Sequence, residues 1–406
     1  MEYDDPERGR DVAARTREFL DEEVVPVERE VLGSDGVAEE TVDELREAAR
    51  EYGVYGPQLD EEYGGLGLDF REMLPVFEAA GRSLLGPHAL NVQAPDQGNM
   101  DTLELVGTEE QKERWLAPLA RGEVTSGFSM TEPAPGAGSD PKMIRTTARK
   151  DGDEWVIGGH KWWTTGGGNA DVLLVMARTD EDAHPYAGCS IFLVPADTEG
   201  VEFVRDIPHV GGGVTGTVHT EIKYDGVRIP EENLLGEENE GFTIAQQRLG
   251  PARLTHCMRY SGMAERALDV AKAYSTEREA FGSSNADKQA IRFSIAEAET
   301  ELHAARTMVR HAADEIAAGG EARVPVSMAK VFAANVVQET IDLAVQCCGA
   351  NGIGKDLPLS DFYEEVRQFR IVDGADEVHK RVIARDAFDE ERIDPAELAN
   401  LTRYDG

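Results

Sequence analysis

The chain predicts an α+β multidomain protein in three parts: a helical domain over residues 1–124, a central β domain over 125–238 and a second helical domain over 239–406. Three observations carry this. Apolar residues recur at helical spacing through the first third. Between about Thr125 and Gly236 that period gives way to short β-rich runs parted by turn residues. From Phe242 onward long helical runs return, punctuated by glycines and Pro325. A chain of 406 residues has ample material for two or three such units.

In chain order, residues 11–31 place Val12, Phe19, Leu20 and Val24 on one side of a helix. A second helix is expected from Thr41 to Tyr52, with Thr41 as N-cap, Glu44 three residues on and Gly53 as the stop. A third runs from about Phe70 to Arg82. The polar stretch Asn91–Asn99 then separates it from helices near Met100–Val106 and Glu109–Leu119, which end at Gly122. Strands are expected at Glu154–Ile157, Lys161–Thr165, Val172–Ala177, Ser190–Val194, Val201–Val204 and Thr217–Tyr224. Asp151-Gly152, Gly158-Gly159 and Asp225-Gly226 read as turns. Short strands with no helix between them suggest a compact barrel or sandwich. Helices follow at roughly 242–280, 286–318, 325–347, 360–370 and 375–390.

Composition narrows the function. The charged fraction of 29% against 41% hydrophobic fits a soluble globular protein. Net charge is −37, from 78 acidic and 41 basic residues, which disfavours a nucleic-acid partner because phosphate binding needs the opposite balance. Acid spread along the whole chain, with only ten lysines, suits a salt-loaded cytoplasm where screening tolerates self-repulsion. Cys189, Cys257, Cys347 and Cys348 form no CxxC, so a disulfide framework is not expected. The N-terminus has neither a basic region nor an apolar run, and no stretch reaches membrane-spanning length; the expectation is a cytoplasmic protein.

Several familiar chemistries are disfavoured. Gly349-Ala-Asn-Gly-Ile-Gly-Lys355 fits most of a phosphate-binding loop, but Asp356 stands where a hydroxyl should meet magnesium, and a helical run precedes it. No GxGxxG links a strand to a helix. His209 and His219, or His303 and His311, lack companions at metal-ligand spacing.

The segment that draws the rest together is Gln368-Phe-Arg-Ile-Val-Asp373-Gly374-Ala-Asp-Glu-Val-His-Lys380. It delivers one carboxylate, Asp373, onto a glycine just before a helix, where free N–H groups and an approachable backbone suit a general base. An ordinary Asp-Gly turn with a capping Asp has the same sequence. Arg278-Glu-Ala-Phe281-Gly282 closes a long helix, where an arginine also favours the helix dipole. Phe128-Ser-Met-Thr131-Glu-Pro with Gly136-Ala-Gly-Ser139-Asp140 is either a linker or a small-residue cradle for a flat ring or a phosphate. Lys161-Trp162-Trp163-Thr164-Thr165 sets two neighbouring indoles on a strand, so at least one faces outward.

Together these pieces resemble the acyl-CoA dehydrogenase family. Five motifs stand in the family's order: Met130-Thr-Glu-Pro with Gly136–Asp140, Gly159-His-Lys-Trp-Trp-Thr, Glu277-Arg-Glu-Ala-Phe-Gly282, Gln346-Cys-Cys-Gly-Ala-Asn-Gly352 and Asp373-Gly374. Ala94–Met100, Gln247–Arg253 and Asp373–His379 look like one subgroup, found alone or at the end of larger chains with a kinase-like domain, and associated with long or branched acyl chains. The resemblance implies a helical domain, a central β domain and a C-terminal four-helix bundle. It also implies FAD held between the last two, and assembly as a homodimer or homotetramer.

By motif, Phe128, Met130, Thr131, Trp163, Thr164 and Thr165 would contact the flavin ring. Arg278, Phe281 and Gln289 would reach FAD in a neighbouring subunit, with Gln346, Gly349, Ala375 and Glu377 completing the cofactor site. Ser139, Gly250, Pro251, Ala252, Arg253 and Gly374 would line the path of an acyl-CoA substrate. Asp373 would be the base, since the alternative family position on the long helix is Ala252 here. Thr131-Glu-Pro-Ala-Pro-Gly carries two residues more than the usual Thr-Glu-Pro-Gly, which leaves the contacts of 132–138 open. The reaction implied is dehydrogenation of an acyl-CoA to the 2-enoyl-CoA, with electrons passing to an electron-transfer flavoprotein. An oxygen-using acyl-CoA oxidase and a non-catalytic acyl-CoA-binding relative are the alternatives.

Overall fold

The structure is a computed structural model and describes residues 3–34, 36–138, 140–320 and 322–389. Its first part is helical: α1 (Glu7–Phe19), α2 (Glu39–Glu51), α3 (Phe70–Ala80) and α4 (Asp96–Val106), followed by a broken helical run that ends at Arg121. The cap expected at Thr41 is not there. The α2 helix starts at Glu39 with Ala38 at its N-cap, so Thr41 sits inside the first turn. A full capping box instead opens α3, where Asp69 accepts from the Arg71 and Glu72 backbone and Glu72 returns a bond to the Asp69 N–H.

Eight strands follow: β1 (Ser126–Ser129), β2 (Thr147–Asp151), β3 (Glu154–Thr165), β4 (Val172–Arg178), β5 (Cys189–Pro195), β6 (Val201–Asp206), β7 (His219–Pro230) and β8 (Leu234–Leu235). They pair along the path β6-β7-β3-β1-β4-β5-β8, with β2 also bridging β3 and β4. Gly158-Gly159 and Asp225-Gly226 are not turns. Both lie inside long strands, at a register shift between Ile157 and Gly159 opposite Tyr224 and Val227. Such bulges bend a strand without ending it. The two expected strands over 154–165 are therefore one strand of 12 residues.

The continuous apolar run of β4 is explained by burial on both faces. Val172, Leu174 and Met176 pack with Met100, Leu103 and Leu116 of the N-terminal helices. Leu173, Val175 and Ala177 pack instead with Trp155, Phe192, Tyr224 and Ile229. Side chains of β5 and β7 meet in that second cluster although three strands separate them along the path. The sheet must therefore curl around it.

The last part consists of α5 (Gly241–Glu277), α6 (Gln289–Ala317), α7 (Arg323–Cys348), α8 (Leu359–Arg367) and α9 (Asp376–Ala387). Their core is shared with the first part: Val12, Phe19 and Phe77 belong to one cluster with Leu254, Met258, Val309 and Val337. Among the described residues no helix is long and apolar enough to cross a membrane.

Candidate active site

The site is built where α5 passes the turn before α9. Asp373 occupies the left-handed region at φ +54°, and Gly374 follows at φ +99°. For a non-glycine residue this conformation is held only when the surroundings over-determine it. Here they do. The Asp373 carbonyl accepts from Arg253 Nε at 3.0 Å and faces His379 Nε2 at 3.2 Å. The Gly374 carbonyl accepts from Lys330 Nζ at 2.9 Å, and the same ammonium donates to the Phe369 carbonyl at 2.6 Å. A Cβ on Gly374 would stand 2.8 Å from His379 Nε2, so the clamp closes only over glycine.

The Asp373 carboxylate points back to α5, with Oδ2 at 3.0 Å from His256 Nδ1. Burial alone would raise this carboxyl, but His256, Arg248 and Arg253 outweigh burial and hold it well below the usual carboxylate range. Burial keeps His379 neutral, its pKa pulled down to about 4. Asp376 is tied to Arg370 Nε at 2.9 Å and Asn335 Nδ2 at 3.1 Å, while Glu377 is exposed. Ala375 is the N-cap of α9 and offers no side-chain cap.

Four substrate-path candidates lie on α5. Pro251 has no N–H to give the carbonyl one turn back, and nothing lies within 4 Å of where a Cβ on Gly250 would stand. Ala252 is buried, and Arg253 reaches the Asp373 carbonyl. Ser139 lies outside the described residues.

The β side approaches from the other direction. Phe128 on β1 pairs with Thr165 on β3, and the Arg248 guanidinium lies 4.1 Å above the Phe128 ring. Arg248 is itself held by Asn99 Oδ1 at 3.0 Å. Met130 and Thr131 are fixed by their carbonyls, to Lys161 Nζ at 2.9 Å and the Trp162 N–H at 3.0 Å. Lys161 is fully buried and pairs with Glu132 at 2.9 Å. Glu132 also accepts from the Arg145 and Thr146 N–H groups and the Thr146 hydroxyl at 2.7–2.9 Å.

Trp163, at φ +54° on a second register shift, is 41% exposed and offers a flat apolar face. Thr165 Oγ1 is 3.1 Å from His219 Nδ1. The Thr164 hydroxyl is buried and lies 3.2 Å from Ser129 Oγ. Strand alternation turns its side chain inward, so only its backbone stays with the outer face.

The remaining candidates form a separate surface. Arg278, Gln346 and Gly349 line an open groove of about 700 Å³ between α5, α6 and α7. Phe281, at φ +53°, is wholly exposed, and Gln289, the first residue of α6, is exposed too. An aromatic ring held out on a left-handed turn is not explained by this chain's own packing. Among the described residues no cluster of three metal-ligating side chains exists; His209 and His219 pack ring to ring, with centroids 4.5 Å apart.

A flat ring laid on Trp163 beside Thr165 would find hydroxyl and backbone partners at its edge. On the α5 side stands the clamped carboxylate of Asp373. Fold and site together place the chain among the oxidoreductases. The comparisons with known proteins make this specific.

Family models described as the N-terminal, middle and C-terminal domains of acyl-CoA dehydrogenase match residues 6–123, 127–227 and 239–388. The chain belongs to the acyl-CoA dehydrogenase family, whose members are FAD flavoproteins. It is 43% identical over 387 residues to the probable acyl-CoA dehydrogenase FadE2 of Mycobacterium tuberculosis, covering 92% of this chain and 94% of that one. To acyl-CoA dehydrogenase family member 11 of Gallus gallus it is 36% identical over 398 residues, covering 93% of this chain but only 50% of that protein. The solved structure of a putative acyl-CoA dehydrogenase from Mycobacterium abscessus superposes with a TM-score of 0.88 at 39% identity, covering 98% of this chain and 100% of that one. A glutaryl-CoA dehydrogenase from Mycobacterium smegmatis, solved in complex with FADH2, gives 0.83 at 26% identity, covering 94% and 95%.

Proposed function

We propose that this chain oxidises an acyl-CoA thioester to the 2-enoyl-CoA, with Asp373 as the base that removes the α-proton. The observation that carries the reading is the clamped turn, in which Arg253, His379 and Lys330 hold the backbone so that one carboxylate faces α5. FAD, when bound, supplies the hydride acceptor for the β-carbon. Phe128, Trp163 and Thr165, with the backbone of Met130, Thr131 and Thr164, suit the ring of that cofactor. The groove at Arg278, Gln346 and Gly349, with Phe281 and Gln289 beside it, suits the distal end of FAD held by a second copy of the chain.

An α-proton of a thioester is too weakly acidic for a free carboxylate, so the residues around it must stabilise the developing oxyanion. The Asp373 side chain is still 16% exposed, and the cationic groups around it hold its carboxyl well below the usual carboxylate range. Acyl-CoA entry expels water, which removes solvation from the carboxylate and raises its basicity at the moment it is needed. The same reading takes long or branched acyl chains as substrates, an electron-transfer flavoprotein as the electron acceptor and the cytoplasm as the location.

Asp373→Asn tests the assignment. It keeps size and hydrogen bonding but removes the base, so FAD and acyl-CoA should still bind. Flavin bleaching by substrate, followed by stopped flow, should fall by at least roughly 10²–10⁴-fold. Near-normal bleaching would overturn the assignment, and stoichiometric peroxide at the turnover rate would move the enzyme to the oxidases.

A further inference from the structure

We infer that His256 is a positioning residue for Asp373: it orients the carboxylate through its Nδ1–H and leaves the other oxygen to take the substrate proton. This rests on the reading of Asp373 as base. His256 lies one helical turn after Ala252 on α5, and its Nδ1 stands between two acceptors. One is the Ala252 carbonyl at 2.8 Å and the other is Asp373 Oδ2 at 3.0 Å. Neither an amide carbonyl nor an ionised carboxylate can donate, so Nδ1 carries the hydrogen and cannot itself act as the base there. The hydrogen is aligned on the carbonyl, and Oδ2 meets the positive edge of the ring. Among the described residues this buried oxygen has no aligned hydrogen bond. A buried carboxylate oxygen left without a donor is costly, and a small rotation of the imidazole supplies one.

The ring is held for this task. Phe369 stacks on it, with centroids 6.2 Å apart and planes 22° apart, and Tyr260 lies 6.1 Å from it and 4.7 Å from Phe369. Tyr260 is anchored in turn to Glu365 at 3.0 Å. The other charged or titratable groups acting on Asp373 are Arg248, Arg253, Cys257, Arg259 and Tyr260 from α5, Lys330 from α7 and His379 from α9. Among the described residues none of these arginines, Lys330 or His379 forms an ion pair with the Asp373 carboxylate, whereas His256 Nδ1 stands 3.0 Å from it.

The geometry separates substitutions that look alike. An Asn amide nitrogen falls near the place of Nδ1, whereas a Gln amide falls near Nε2. Phe keeps the stacking on Phe369 and loses the donor. In the FAD-loaded, full-length enzyme at saturating acyl-CoA, His256→Phe should slow bleaching by roughly tenfold, the scale of one hydrogen bond to a charged group. The dissociation constant for acyl-CoA should stay nearly unchanged. His256→Asn should recover most of the rate and His256→Gln should not.

The pH dependence gives a second readout. Protonation of the base stops the reaction as pH falls, and His256 helps keep Asp373 ionised. Removing it should therefore move the acid limb of the bleaching rate upward by about 1 pH unit. A ¹³C-carboxyl titration of Asp373, assigned by its absence in Asp373→Asn, should show the same displacement without any turnover. Equal rates for the Asn and Gln variants, or an unmoved limb and titration in His256→Phe, would overturn the inference. If His256→Phe does not load flavin, the Asn–Gln contrast and the titration decide alone. Loss of bleaching in Asp373→Asn with a normal His256→Phe removes the inference and leaves the base intact, whereas normal bleaching in Asp373→Asn removes both.

Discussion

Lys161→Met should be among the most damaging single changes outside the turn at Asp373. The lysine is 0% exposed, and its ammonium joins Glu132 on one side and the Met130 carbonyl on the other. Met replaces it at nearly equal volume, so little of the effect comes from a cavity. What remains is a carboxylate, 2% exposed, that has lost its counter-charge. Breaking a buried pair from one side costs about 3–5 kcal/mol. The value should fall in the lower half of that range, because three donors from Arg145 and Thr146 still serve Glu132. The pair is also asymmetric. Burial, the largest influence on each group, pulls the Lys161 amine down, while on Glu132 the pull of Lys161 and Thr146 prevails over burial and lowers the carboxyl. The carboxylate is thus the better-satisfied partner, and Glu132→Leu, which orphans the ammonium, should cost more than Lys161→Met.

The double variant tests the coupling. Thermal midpoints followed by circular dichroism and by release of flavin fluorescence should drop by about 5–10 °C for Lys161→Met. The double variant should lie well above the sum of the two singles. The loop over 130–138 is fastened through this pair, so the flavin should be released before the helices melt. A drop below about 1 °C, or strict additivity, would refute the reasoning.

Gly374→Ala should retain the fold yet slow bleaching by at least roughly tenfold, because a Cβ 2.8 Å from His379 Nε2 at φ +99° must push the turn aside; wild-type rates would show that the clamp is slack. With a net charge of −37, thermal midpoints should rise from dilute buffer to molar KCl, and a flat or falling series would count against adaptation to a salt-loaded cytoplasm.

The parts legible in the sequence were those that depend on local pattern. Helical periodicity located the long helices of the last third, and the run Val172–Ala177 located a strand buried on both faces. β1 and β2 escaped notice because Ser126-Gly-Phe-Ser129 has no alternation and Thr147-Ala-Arg-Lys-Asp151 is mostly polar. Gly158-Gly159 reads as a turn until a partner strand absorbs it as a bulge. In the site, motifs pointed to Asp373 and its glycine, but not to the left-handed conformation of the aspartate itself. His256 could have been found as the residue one turn beyond Ala252 on the same helix face. Arg248 and Lys330 had no such signal, because the groups they hold come from elements far apart in the chain, whereas His379 closes the same Asp373–His379 motif and meets the Asp373 carbonyl only six residues away.

The α5 helix carries Gly250 to His256 near its middle and Arg278 at its C-cap. At about 1.5 Å per residue, His256 and Arg278 are held roughly 33 Å apart by a single rod with no loop between them. That makes the helix a ruler. One residue inserted between them would lengthen it by only about 1.5 Å but rotate one end against the other by about 100°. Either His256 would leave Asp373 or Arg278 would leave its groove. Loops on the surface of this protein are free to drift in length, but the register of this helix is not.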